Sequence, residues 1–225
     1  MRIIGREVGR VVHLLVPEEV RPTHGWDLPA LYRAVVSRYG FARSPDNFAT
    51  FNQPDGARFE TGNFVDPVGG ERIPIAELLL FNDGIIGVCA DTILAEALID
   101  DVMKYLIDLK LLYQPTTSKP RTYFGSVIIQ FDKIPPGGLE HMFSATSRFD
   151  AALTQHYGKP YVTSLTRLAF GADPLRSSPH GQAALIVERR VNTPYDQNWF
   201  WSSATLSFDI HIPLLEALEQ DLMIM

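Results

Sequence analysis

Residues 78–106 read LLLFNDGIIGVCADTILAEALIDDVMKYL, and this stretch decides the fold class. Two apolar runs flank Asn82-Asp83-Gly84, and Asp-Gly supplies the positive φ angles of a tight type I′ turn. The reading is therefore a β-hairpin with Asp83 and Gly84 as its loop, which sets Leu79 opposite Val88 and Phe81 opposite Ile86. Side chains alternate along a strand, so Leu79, Phe81, Ile86 and Val88 take one face while Leu78, Leu80, Ile85 and Cys89 take the other. Both faces are apolar. Such a pair belongs in a sheet covered on both sides, by the chain's own helices or by another chain.

Directly after the hairpin, Asp91 reads as the N-cap of a helix over Thr92 to Lys110. Leu94, Leu98, Val102, Tyr105 and Leu109 form its stripe, widened by Ile99 and Leu106, and Glu96, Asp100, Asp101 and Lys104 are expected to face water. One helix covers one face and leaves the second to be accounted for.

Working outward, a strand is expected near Arg10 to Val16. WDLPALYRAVVSRYG is a helix with Asp27 as cap, Pro29 in the first turn and Gly40 as stop. Residues 41–56 read as a loop, followed by a strand from Ala57 to Val65. The polar, Pro-containing segment 113–121 is the expected linker between halves 1–112 and 122–225, which can also pack as one domain.

The second half repeats the order. YFGSVIIQFDK is a strand, and GGLEHMFSATSRFDAALTQHYG is a helix with a stripe of Leu139, Met142, Phe149, Leu153 and Tyr157, stopped by Gly158. YVTSLTRLAF, QAALIVERRV and NWFWSSATLS are strands, and IPLLEALEQDL is a closing helix with Pro213 in its first turn. The fold class is α+β: mainly antiparallel strands with about four helices, in two similarly ordered β-α-β-β-β-α halves. An internal duplication would produce that order, as would chance.

Composition narrows the function. The 225 residues are 46% hydrophobic and 20% charged, as in a globular chain. No apolar run is long enough to span a bilayer, and MRIIGREVGR lacks the apolar core of a signal peptide, so a cytoplasmic location is expected. The single Cys89 suits a reducing compartment and reads as a buried, inert thiol. A net charge of −6 argues against a nucleic-acid partner, because phosphate neutralisation needs a basic stripe.

Motifs for chemistry are sparse. No Gly-rich phosphate loop is present, and the six histidines are scattered without metal-ligand spacing, so neither a cofactor nor a metal is expected. His13, in the strand VVHLLV, reads as a core or edge histidine. Asp209 and His211 would share a face if their segment were extended, with Ser202 or Ser203 in reach, but no Gly-x-Ser-x-Gly elbow presents a nucleophile. Asp132, beside Lys133, lacks a second carboxylate in register. Arg189 and Arg190 would project to opposite faces of a strand.

A small hydrolase or other enzyme would use Asp132, Arg189, Asp209 and His211 in a polar cleft between the halves. The residues favour the other class: an interaction or assembly protein, self-associating or bound to a partner chain. Trp199 and Trp201 project to one side of their strand and Phe200 to the other, and aromatic residues concentrate at interfaces. With the apolar tail Met223, Ile224 and Met225, they form the expected contact surface.

Overall fold

The computed structural model describes residues 1–65, 69–117, 119–135, 144–171 and 184–224. They form one antiparallel sheet of eight strands with five helices, four of them longer than one turn. The first half runs β1 (Arg2–Leu14), the short α1 (Pro17–Val20), α2 (Leu28–Tyr39), β2 (Ala57–Val65), β3 (Arg72–Phe81), β4 (Gly84–Cys89) and α3 (Thr92–Asp108). The second runs β5 (Thr122–Gln130), α4 (Ser144–Tyr157), β6 (Arg167–Gly171), β7 (Ala184–Arg189), β8 (Trp199–Ala204) and α5 (Phe208–Ile224). Sheet order is β2-β3-β4-β1-β5-β8-β7-β6, so within each half the fourth strand lies between the third and the first. Two compact units result: Met1–Arg6 with Ser126–Thr205 and Asp209–Met225, and Glu7–Gly125 with Leu206–Phe208. The division falls within β1 and β5.

The opening hairpin forms with a different turn. Phe81 pairs with Gly84 and Leu79 with Ile86, leaving Asn82 and Asp83 as the loop, and none of Asn82, Asp83 and Gly84 has positive φ. Asp-Gly therefore does not supply a type I′ turn here. Gly84 serves close approach instead: a Cβ there would stand 3.0 Å from the His13 carbonyl oxygen on β1. The changed turn moves each partner by two positions, which preserves the faces. Leu78, Leu80, Ile85 and Cys89 join the core, and Leu79, Ile86 and Val88 cluster on the opposite side.

Two helices cover the core face. Asp27 caps α2 by accepting from the Ala30 N–H at 3.0 Å, and Gly40 ends it at φ 61°. Asp91 caps α3 by accepting from the Leu94 N–H at 2.9 Å. Leu31, Val35 and Tyr39 of α2 and Leu98, Ile99, Val102 and Leu106 of α3 pack over Val11, Phe59, Leu78 and Ile85. Each large apolar side chain buried there contributes about 1.5–3 kcal/mol. Leu109, expected in the stripe, lies beyond the end of α3 and is exposed. Gly9 lets β1 meet the start of α3, for its Cβ would fall 1.8 Å from the Asp91 carbonyl carbon. In β2 and β3 the alternation slips at Thr61, whose φ is 57°: Phe59 and Gly62 are both buried, as are Leu78 and Ile75 across the ladder.

In the unit of Met1–Arg6, Ser126–Thr205 and Asp209–Met225, Val127, Ile129, Phe131, Val187, Phe200 and Leu215 are buried. Helix α4 departs from expectation. Phe149 and Tyr157 are exposed, while Asp150 is buried and accepts from the Thr163 N–H at 2.9 Å. Leu139 and Met142 lie outside the described residues. Gly158 ends α4 at φ 67°, the same left-handed stop that Gly40 gives α2. Helix α5 begins earlier than the sequence suggested, so Pro213 lies inside it. The Thr92 hydroxyl accepts from the Phe208 N–H at 2.7 Å, and the Phe208 ring fills the space over Gly125.

Candidate functional site

The polar candidates are engaged separately. Asp132 pairs with the Met1 ammonium at 2.9 Å, and the same ammonium reaches buried Glu219 at 2.6 Å. Glu219 also accepts from the Lys133 N–H at 3.0 Å. Arg189 is buried on β7; it donates to the carbonyls of Leu165 and Tyr195, each at 2.9 Å, and its guanidinium lies over the Tyr195 ring at 4.3 Å. These contacts clamp two loops. Asp209 is exposed at the start of α5, and His211 is fully buried two residues on. Because the segment is helical, a two-residue step turns them about 200° apart, and the shared face expected of an extended strand does not form.

Ser202 does meet His211, with 2.9 Å between the Ser202 Oγ and the His211 Nε2. Ser202 donates its proton to the Ile186 carbonyl at 2.9 Å, so it receives one from the imidazole. A serine nucleophile needs the reverse polarity and access to substrate, whereas Ser202 is fully buried. Burial also holds the His211 imidazole down at about 4, in its neutral form. The pair ties α5 to the sheet.

Sequence reasoning placed Asp100 and Asp101 on a solvated face; Asp100 is exposed and Asp101 half-buried, and both anchor arginines. Asp101 accepts from Arg38 at 2.6 and 3.0 Å and from the Tyr39 hydroxyl at 2.7 Å, with the Arg38 guanidinium 4.3 Å from the Tyr105 ring centroid. Asp100 holds Arg121, which also reaches Glu96 at 2.7 Å; Glu96 accepts from Tyr123 at 2.9 Å. Arg38 lies on α2 and Arg121 leads into β5, so the long sequence separation hid both pairings. Among the described residues no cluster of three or more His, Cys, Asp or Glu could hold a metal ion, and no helix is long and apolar enough to cross a membrane.

Of the expected contact residues, Phe200 is core: it is 1% exposed and its ring packs 5.1 Å from Phe131. Trp199 and Trp201 are half-buried, and Met223 is exposed. The side chain of Ile224, and all of Met225, lie outside the described residues.

A more extended apolar surface lies on the first half of the sheet, opposite α2 and α3. Registers across β2, β3, β4 and β1 align its residues in rows: Glu60–Glu77–Val88–Arg10, Arg58–Leu79–Ile86–Val12, and Phe81–Gly84–Leu14. Leu79, Ile86 and Val88 are buried, Val8, Val12 and Phe81 are half-buried, and Leu14 is 47% exposed. On β5, Tyr123 turns toward Glu96 of α3, which directs Phe124 to this outer side, where it is 40% exposed. Open hollows of about 450 and 350 Å³ border Val12. Helices α2 and α3 pack against the other face. Its rim is charged: Arg58 pairs with Glu77 at 3.0 Å and Arg43 with Glu60 at 3.2 Å, relieving the repulsion between the two opposed glutamates.

No family model matches this chain, and no curated protein or solved structure is significantly similar to it.

Proposed function

We propose that this chain is an interaction or assembly protein that presents the outer face of β1, β3, β4 and β5 to a protein surface. One observation carries the reading: the hairpin is apolar on both sides, and α2 and α3 lie on one side alone. Leu14 and Phe124 widen the outer patch, and Arg10, Arg58 and Glu77 give it the polar rim usual for a protein contact. The net charge of −6 fits a protein partner better than a nucleic acid. Cys89, buried with its thiol pushed up to about 12, is inert and suits the cytoplasm.

The test compares the full chain with Phe124→Asp and Val12→Asp, checking first that circular dichroism is unchanged. The wild type should retain a companion chain, itself or another, that the variants lose by at least tenfold in affinity, about 1.4 kcal/mol. Identical association by all three proteins would contradict the proposal.

A further inference from the structure

Resting on the interaction reading above, the geometry points to a second copy of this chain as the occupant of the outer face, packed sheet on sheet about a two-fold axis that runs along β4. The charge pattern selects both partner and axis. In the row Glu77–Val88–Arg10, a carboxylate and a guanidinium flank β4 on opposite sides. A two-fold along β4 exchanges the two sides, so Arg10 of each copy meets Glu77 of the other, twice per dimer.

Glu77 is prepared for this contact. Its Oε1 is held by the Arg58 Nε at 3.0 Å, and Oε2 remains for the second arginine. Arg10 is exposed and has no ion pair among the described residues. In the remaining rows Leu79 and Ile86 are already buried within each copy, and the same axis brings half-buried Phe81 against exposed Leu14 of the second copy beside the hollow left by the two Gly84 residues. An axis across the strands through Ile86 would instead set Glu77 over Phe81 and Arg10 over Leu14, stranding charges on apolar groups. Aligned face-to-face packing of two sheets is a usual geometry for such faces.

The experiment is sedimentation equilibrium of the full chain over a wide micromolar range, with Arg10→Glu, Glu77→Arg and the double variant. Circular dichroism should confirm native folding, and Arg10→Ala serves as a variant that adds no new charge. The dimer should weaken by tenfold or more in each single reversal, less in Arg10→Ala, and recover to within a few-fold of wild type when both reversals are combined. A dimer in which the double variant shows the product of both losses overturns the two-fold arrangement and leaves the interaction reading standing. A monomer at every concentration overturns the second copy as occupant. The interaction reading itself falls only if Phe124→Asp also leaves association with every other companion unchanged.

Discussion

Helices α2 and α4 occupy the same place in the two halves and end in the same left-handed glycine, yet they meet opposite environments. Helix α2 buries Leu31, Tyr32, Val35 and Tyr39, whereas α4 exposes Phe149 and Tyr157 and buries Asp150. The strands differ likewise: every residue of β4 is buried, while four of the five in β6 are exposed. Shared element order therefore does not bring shared packing. Aromatic rings tighten the first half, where Tyr32 meets Phe59 at 5.3 Å and Phe41 meets Phe59 at 5.5 Å. In the second, Tyr157 and Tyr161 approach each other at 5.6 Å while both remain exposed.

Removing a ring breaks this comparison most sharply. Phe59→Ala should cost about 3–5 kcal/mol, because the site is fully buried. Phe149→Ala should stay within about 0.5 kcal/mol. Urea unfolding of the two variants checks both values, and comparable losses would show that α4 packs as tightly as the first-half core.

Glycine substitutions sharpen the same contrast. Gly9→Ala drives a methyl group into the backbone at Asp91 and Thr92 and should cost about 3 kcal/mol. Gly171→Ala in β6 meets no atom within 4 Å and should be neutral or stabilising by about 0.5 kcal/mol. Thermal unfolding distinguishes these outcomes.

A smaller effect concerns His211. Its folded value of about 4 lies below the ordinary 6.5, so protonation favours the unfolded chain. The stability held by neutral His211 is complete above about pH 6.5 and is lost as pH falls toward 4, on the order of 2–3 kcal/mol. His211→Gln should flatten the stability profile across that window. An unchanged slope would show that His211 is accessible to water and titrates normally.

Local signals in the sequence specified local structure well. Asp27 and Asp91 cap their helices, Gly40 and Gly158 stop theirs, and the hairpin faces follow from alternation despite the different turn. What escaped depends on distant partners. Arg38 and Arg121 find Asp101 and Asp100 only through folding, and α5 starts early because Thr92, far back in the chain, supplies its first acceptor. Phe200 illustrates the limit for sites: alternation separates it from Trp199 and Trp201 but cannot say which face meets Phe131. Nor could it show that the Ser202 proton is already committed to Ile186.

The most direct test of an outer face covered by another chain is hydroxyl-radical footprinting of the full protein in its assembled state and after dilution to dissociation. Leu14 and Phe124 should be protected when assembled and become reactive on dilution, while Phe149 keeps the same high reactivity in both. Equal reactivity of Leu14 and Phe124 in the two states would contradict the account.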